Sequence, residues 1–311
     1  MESIKYSHIT NNDFPRVDYA IINYFNQKIS RAQLKQRIQK LSINQKPAKL
    51  SHSVKQGDKI QFYLCDESDH RILPAPIIFS TIWENENIIV INKPQGLVVH
   101  PAAGHWQDTV VNGLLWRWYE HFKNKDWDVL RPGIVHRLDA DTSGVLIIAK
   151  DTHTHAFLVD VFKRRVLQKI YFAIVKGVPR TQEGEIQSKI RRDPLHRKRF
   201  SVAITAGREA LTRYQVLADN GQYSLVKFKP LTGRTHQIRL HAKLLGTPVL
   251  GDPLYARKDL QYPHATMQLH AYSLFCPIRQ GGKKHRFIAE LPIHMKDLLS
   301  LIGIDEEICV Q

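Results

Sequence analysis

Arg131-Pro132-Gly133-Ile134-Val135-His136-Arg137-Leu138-Asp139-Ala140-Asp141-Thr142-Ser143-Gly144 runs directly into Val145-Leu146-Ile147-Ile148-Ala149. The second stretch reads as an apolar strand. The whole reads as strand, polar turn, strand, and polar turns fixed by strands are common places for a functional site. Alone, Asp139 followed by Asp141, Thr142, Ser143 and Gly144 is also ordinary turn chemistry. The stretch needs partners elsewhere in the chain before it means more.

Two partners lie downstream. In Leu231-Thr232-Gly233-Arg234-Thr235-His236-Gln237-Ile238-Arg239-Leu240-His241, Gly233 can relax the backbone, and Thr235 can cap a helix carrying Ile238, Leu240 and Leu244. Arg234 sits just before that helix. A guanidinium there can pair with a carboxylate and hold it ionised, the state a nucleophile needs, or can simply anchor the surface. In the strand Lys169-Ile170-Tyr171-Phe172-Ala173-Ile174-Val175-Lys176-Gly177, alternation puts Ile170, Phe172 and Ile174 on one face and Tyr171 on the other. A tyrosine can stack on a base and exchange a proton, and equally can be core.

Further strand-like runs at Ile88 to Ile91 and Tyr223 to Phe228 interleave with helical segments near 153–166 and 235–245. The order is not a regular βαβ alternation, and no Gly-x-Gly-x-x-Gly or Walker-type loop is present, so the expectation is an α+β domain and not a doubly wound nucleotide-binding sheet. Upstream, Val17, Ile21, Ile22 and Phe25 have helical spacing. Ser30 with Gln33 makes a capping box for a second helix, with Leu34, Ile38 and Leu41 on one stripe. Arg31 and Lys35 flank that stripe, placed to touch phosphate, with Arg37 and Lys40 toward its other side. A strand at Ile43, a turn at Asn44-Gln45-Lys46-Pro47 and the alternation Ile60, Phe62, Leu64 complete a small unit. The expected organisation is a tail over 1–15, a small α+β domain over 16–64, a linker over 65–80, a large domain over 81–300 and a tail over 301–311.

Lys and Arg number 45 against 29 Asp and Glu, for a net charge of +16, which makes a polyanion the first partner to consider. The basic run Arg191, Arg192, Arg197, Lys198 and Arg199 beside Phe200 suits phosphates with an aromatic contact. Three widely spaced cysteines encode neither a disulfide framework nor a zinc site, and no apolar run approaches a bilayer span. The expectation is a cytoplasmic chain with no membrane association, and a monomer.

Taken together, His136-Arg137-Leu138-Asp139 with Thr142-Ser143-Gly144, Lys169 to Gly177, and Gly233-Arg234-Thr235-His236-Gln237 with Arg239 resemble, in order and spacing, the motifs of the RluA-type pseudouridine synthase family. Ile91-Asn92-Lys93-Pro94 through Pro101, Gly246 to Tyr255 with its Gly251-Asp252-Pro253, and Leu269-His270-Ala271 support the likeness, which covers about residues 81 to 295. Residues 16 to 64 resemble, more loosely, a small RNA-binding module shared with a small-subunit ribosomal protein. That module precedes the catalytic domain in the RluC and RluD branch. Ile43-Asn44-Gln45-Lys46 replaces the usual Val-Asn-Gly-Lys, which removes the easiest route to positive φ.

The resemblance implies a mixed, largely antiparallel catalytic sheet and isomerisation of uridine to pseudouridine in structured RNA, most directly large-subunit ribosomal RNA. It implies that neither a metal nor a small-molecule cofactor takes part. It assigns Asp139 as nucleophile, Tyr171 as stacking and proton-transfer group, Arg234 as salt-bridge partner of Asp139, and Arg137 as the side chain that replaces the extruded base. Leu269 becomes a packing residue beside the ring, and His136 part of the substrate site. Three rivals are a metal-dependent phosphodiesterase using His136, Asp139 and Asp141, a non-catalytic RNA-binding or ribosome-assembly protein, and a serine hydrolase. The last lacks a Gly-x-Ser-x-Gly elbow.

Overall fold

The computed structural model describes residues 3–26, 29, 31–65, 72–102, 104–122, 127, 131–196 and 198–309, so the Ser30 capping box and Arg197 lie outside the described residues. The chain divides into two compact units, Met1–Arg71 and Ile72–Gln311.

The smaller unit comprises β1 (Ser3–Ile9), α1 (Val17–Tyr24), α2 (Arg31–Arg37), β2 (Ile38–Ile43), β3 (Lys46–Pro47) and β4 (Lys59–Cys65), with its strands antiparallel in the order β1-β4-β2-β3. Residues expected to be a tail thus form an edge strand, paired from Ser3 opposite Cys65 to Ile9 opposite Lys59. The second helix is shorter than its apolar spacing predicts: it ends at Arg37, and Ile38 and Leu41 belong to β2. A register shift between Ile38 and Lys40 explains the misleading spacing. Ile38 opposes Leu64 and Leu41 opposes Phe62, so the extra residue lets side chains three apart pack on one core. At the Asn44-Gln45 turn both residues take positive φ, 48° and 66°, without a glycine. The Asn44 side chain holds that turn by donating to Asp58 Oδ1 at 2.7 Å and accepting the Lys59 N–H at 2.9 Å.

The larger unit begins earlier than expected. The Ala75 N–H donates to Asn112 O at 3.1 Å, Asn112 Nδ2 donates to Leu73 O at 2.8 Å, and Phe79 is buried, so residues 73–79 pack as part of this unit and not as a free linker. Its strands are β5 (Ser80–Glu84), β6 (Ile88–Lys93), β7 (Ser143–Ala149), β8 (Gln168–Lys176), β9 (Glu183–Arg192), β10 (Phe200–Ala203), β11 (Arg208–Asp219), β12 (Tyr223–Pro230), β13 (Leu269–Pro277) and β14 (Lys284–Ile288). They form one sheet in the order β10-β9-β11-β12-β8-β13-β7-β6-β5, with β14 added on β13. All pairs are antiparallel except β13 with β7, which run parallel. The sheet is therefore mixed and largely antiparallel. Helices α3 (Val110–Arg117), α4 (Tyr119–Phe122), α5 (Thr152–Arg164), α6 (Gln237–Leu244) and α7 (Ile293–Leu301) accompany it.

The alternation in β8 divides two cores. Phe172 and Ile174 pack with Met295, Leu298 and Leu299 of α7, whereas Ala173 and Val175 pack with Ile238 and Ala242 of α6. Ile302, Ile304 and Cys309 are buried in the α7 core, so residues read as a C-terminal tail complete it. The parallel β7–β13 contact depends on Gly144, whose φ is +117°; a Cβ there would sit 2.2 Å from Ala271 O. That close approach brings together the start of β7, the start of β13 and the middle of β8.

Candidate active site

Asp139 lies four residues before β7, in a segment that is loop and not strand; its pairing to β7 is a single bridge, Ile134 with Ile148. The loop is pinned from beneath by Lys93, which is wholly buried and donates from Nζ to the carbonyls of Pro94, Leu97 and Ala140, each at 2.8 Å. Three carbonyls match the three protons of an ammonium group. Burial pulls the Lys93 pKa down to about 7, opposed by Asp141 and Asp139. The backbone carrying Asp139 is thus fixed at Ala140, one residue from the carboxylate.

That carboxylate points into a cavity of about 570 Å³ whose wall includes Arg137, Leu138, Asp139, Tyr171, Arg239 and Leu269. Asp139 is 19% exposed and Arg239 only 3%. Arg239 Nη1 donates to Asp139 Oδ2 at 3.4 Å, while its Nε and Nη2 donate to Asp252 Oδ2 and Oδ1, each at 2.7 Å. Asp252 also accepts the N–H groups of Leu254 and Tyr255 at 2.8 and 3.0 Å. This bidentate clamp fixes both the position and the plane of the guanidinium. Burial works against the charge of Arg239, but Asp252 and then Asp139 outweigh it and raise its pKa. Gly251 makes the clamp possible: at φ +74°, its missing Cβ would lie 2.1 Å from Thr266 O.

The expected pairing of Arg234 with Asp139 is therefore corrected. Arg234 Nε donates to Glu209 O at 3.0 Å, and its guanidinium lines another part of the cavity wall. The physical reason is the helix. Arg234 precedes α6 by three residues, whereas Arg239 is on the buried face of α6, aimed at Asp252 and Asp139. Thr235 does not cap that helix either. The N-cap is His236, left-handed at φ 57° and without a side-chain cap bond. The loop before it is held by Gln237, whose Oε1 accepts the Arg234 N–H at 2.9 Å and the Thr232 hydroxyl at 2.7 Å. His236 Nε2 lies 3.7 Å from Asp139 Oδ2, and its Nδ1 lies 2.7 Å from the Tyr255 hydroxyl. Burial lowers the His236 pKa, so the ring is neutral at pH 7.

Tyr171 shares the β8 face of Ala173, which opposes Leu269 across the sheet, so phenol and leucine line one wall. Burial, then the charge of Asp139, raises the Tyr171 pKa and keeps the phenol protonated. His136 borders the cavity but is committed to the fold: its Nε2 accepts the Ile147 N–H at 3.0 Å, and its ring stacks on Phe162 at 4.6 Å. Burial, then Lys169, pushes its pKa down to about 3. Among the described residues no group of three or more His, Cys, Asp and Glu side chains is placed to hold a metal ion, and His136, Asp139 and Asp141 do not form one. Arg137 is exposed at the rim.

Of the other residues of this unit expected to touch substrate, the described Arg191 and Arg192 do not line the cavity. Arg191 and Arg192 end β9 on the β10 edge of the sheet, with Arg192 lying 5.4 Å over the Phe200 ring. In the smaller unit Lys35 is exposed, and Arg31 pairs with the buried Asp18 at 2.8 Å, alongside Arg16 at 2.9 Å. Sequence reasoning missed the roles of Lys93, Asp252 and Tyr255. Arg239 and Gly251-Asp252 were in view, and an arginine between Ile238 and Leu240 on an apolar helix is itself the signal that a buried carboxylate must meet it.

Residues 87–244 match the RNA pseudouridylate synthase family. The chain is 46% identical over 246 residues to a ribosomal large subunit pseudouridine synthase D of Borreliella burgdorferi, covering 78% of this chain and 75% of that protein. It is 33% identical over 274 residues to a protein of the same name from Neisseria meningitidis, covering 85% and 72%. Among solved structures, human RNA pseudouridylate synthase domain containing 4 superimposes with a TM-score of 0.59 at 25% identity, over 73% of this chain and 94% of that one. The match extends through Asp139, Tyr171 and Arg239, and the chain belongs to the RNA pseudouridylate synthase family.

Proposed function

We propose that this pseudouridine synthase acts on large-subunit ribosomal RNA, with Asp139 as its nucleophile. The observation that carries the chemistry is the Asp252-clamped Arg239 on an accessible Asp139, inside a cavity that also holds Tyr171 and Leu269. The clamped guanidinium fixes where the Asp139 carboxylate sits in the cavity, and a carboxylate oxygen is the attacking atom. A uracil stacked in a helix cannot be detached and turned, so the uridine is extruded into the cavity, at a cost of a few kcal/mol. Arg137, exposed at the rim, takes the vacated place in the stack. Leu269 packs beside the ring.

Tyr171 is a phenol in the resting enzyme, partly because Asp139 is negative. By the time the uracil turns, Asp139 is a neutral ester and the bond from uracil N1 to the ribose has broken with its electron pair on the uracil, so the carboxylate charge no longer bears on the phenol. When carbon 5 bonds to the ribose the ester bond breaks and Asp139 returns as a carboxylate; the phenol, stacked on the ring, then relays the carbon 5 proton to solvent by passing on its own, and N1 takes a proton in its place. The relatives from Borreliella burgdorferi and Neisseria meningitidis are named for the large ribosomal subunit, which supports that substrate over transfer RNA. The smaller unit, with exposed Lys35, and the Arg191–Arg192 edge supply further phosphate contacts. The protein acts as a cytoplasmic monomer without a cofactor.

The test is incubation with large-subunit ribosomal RNA or transfer RNA transcripts labelled with tritium at uracil carbon 5, with and without excess chelator. The expected result is release from the ribosomal transcript that chelator leaves unchanged. Release from transfer RNA alone overturns the substrate, and loss in chelator overturns metal-free chemistry.

A further inference from the structure

The cavity holds more positive charge than the chemistry at Asp139 uses. Six cationic side chains line it, Arg137, Lys163, Arg165, Lys169, Arg234 and Arg239, against the single carboxylate of Asp139. Arg239 is neutralised by Asp252 and Asp139. Among the described residues, the other five form no ion pair.

Three of the five converge from separate elements. Lys169, on β8, donates from Nζ to Thr232 O at 3.1 Å. Arg165 follows α5 in the left-handed conformation, φ 58°, which a non-glycine residue adopts at a cost. Arg234 is carried by the loop that Gln237 fixes. Gly233 lines the cavity beside Arg234, and a Cβ there would be in ordinary contact with Lys169 Nζ, at 3.6 Å, which places the ammonium next to this loop. The three repel one another: burial, then Arg165 and Arg234, pulls the Lys169 pKa down to about 8, and burial, then Arg165 and Arg208, lowers that of Arg234. Like charges gathered in a partly buried cleft are a standing cost that an anion relieves.

We propose that Arg165, Lys169 and Arg234 form a phosphate-binding subsite that takes one backbone phosphodiester of the RNA beside the extruded uridine. The proposal rests on the reading of the cavity as the uridine site. The subsite fixes the nucleotide by its phosphate, leaving the uracil unattached to its own ribose and free to turn against Tyr171. Its anion is sequence-independent, so it sets where a nucleotide sits and not which one.

The test uses the full chain and the large-subunit ribosomal RNA transcript, with affinity measured by competition binding at a series of KCl concentrations and tritium release followed in parallel. The variants are Arg165→Gln, Lys169→Met, their double and, as control, Arg164→Gln, which removes an exposed charge paired to Asp160 and absent from the cavity wall. Each single subsite variant is expected to weaken binding about tenfold, as loss of one charge-assisted contact does. The double is expected to fall well short of the hundredfold that independent contacts give, because one phosphate is shared. Its salt slope should drop by about 0.7 to 0.9, the value of one phosphate, and Arg164→Gln should change affinity less than threefold. Unchanged affinity in Arg165→Gln overturns the subsite, and this exposed position decides the matter if Lys169→Met fails to fold. Strict additivity, or an equal loss in Arg164→Gln, overturns it in favour of a diffuse positive field. Binding needs no turnover: the same affinity pattern without tritium release keeps the subsite and refutes the proposed function.

Discussion

Asp252→Asn removes one oxygen and adds none to the volume, yet it strikes the support of the active-site arginine. The asparagine oxygen can keep the Oδ1 position, which accepts Arg239 Nη2 at 2.7 Å and the Leu254 and Tyr255 N–H groups. Its amide nitrogen then replaces Oδ2 and faces Arg239 Nε, donor against donor, across what was a 2.7 Å bond. Breaking one side of a buried pair costs roughly 3–5 kcal/mol. Arg239 is 3% exposed and Asp252 fully buried, but Asp139 remains as a second counter-charge, so the lower end, about 3 kcal/mol, is expected. The contact to Asp139 is already long at 3.4 Å, and a further displacement on the order of 1 Å costs about 10²-fold in rate, equivalent to about 2.7 kcal/mol. The assay is initial tritium release at saturating RNA, alongside thermal melting and RNA affinity. The expected outcome is a kcat about a hundredfold lower, a lower Tm and an affinity within threefold of the parent. A kcat within threefold of the parent, with Arg239→Met inactive, refutes the idea that Asp252 positions the arginine.

Other outcomes follow from the same geometry. Tyr171→Phe keeps the stacking ring and loses the hydroxyl, so tritium release should fall by about 10² or more while RNA affinity stays, and release at parental rate would exclude the phenol from proton transfer. Gly144→Ala adds a methyl 2.2 Å from Ala271 O on a backbone at φ +117°, and should lower Tm by many degrees or leave insoluble protein; an unchanged Tm would show that β7 and β13 can separate freely. His100, His241 and His270 are pushed down to about 4, and His136 to about 3, in each case first by burial. Their folded pKa values lie below the unfolded value near 6.5, so the unfolded chain binds more protons between those limits, and stability is lost as pH falls from 6.5 through 4. Melting temperatures measured from pH 7 to pH 4.5 should fall, and a flat profile would contradict neutral burial of these rings.

Much of this was legible in the residues because strands that bury both faces or alternate cleanly leave strong patterns. Val145 to Ala149, the division of β8 between two cores and the alternation of Ile60, Phe62 and Leu64 all stand in the structure. What misled was long-range pairing. Ile38 and Leu41 have helical spacing, but a bulge against β4 puts the same spacing on one face of a strand, and nothing local to residues 30–43 encodes the partner. Residues 3–9 look like a tail until β4 supplies their ladder. The same limit governs the site. Arg234 and Arg239 are both arginines near one helix, and only the placement of Asp252, thirteen residues beyond Arg239, shows which of them reaches Asp139.

The most direct measurement is tritium release from RNA labelled at uracil carbon 5 by the parent protein and by Asp139→Asn, which keeps the shape of the side chain and removes its charge. The account predicts release by the parent and none above background by the variant, with RNA affinity retained. Release by Asp139→Asn at a rate within tenfold of the parent would contradict the assignment of Asp139 as the nucleophile.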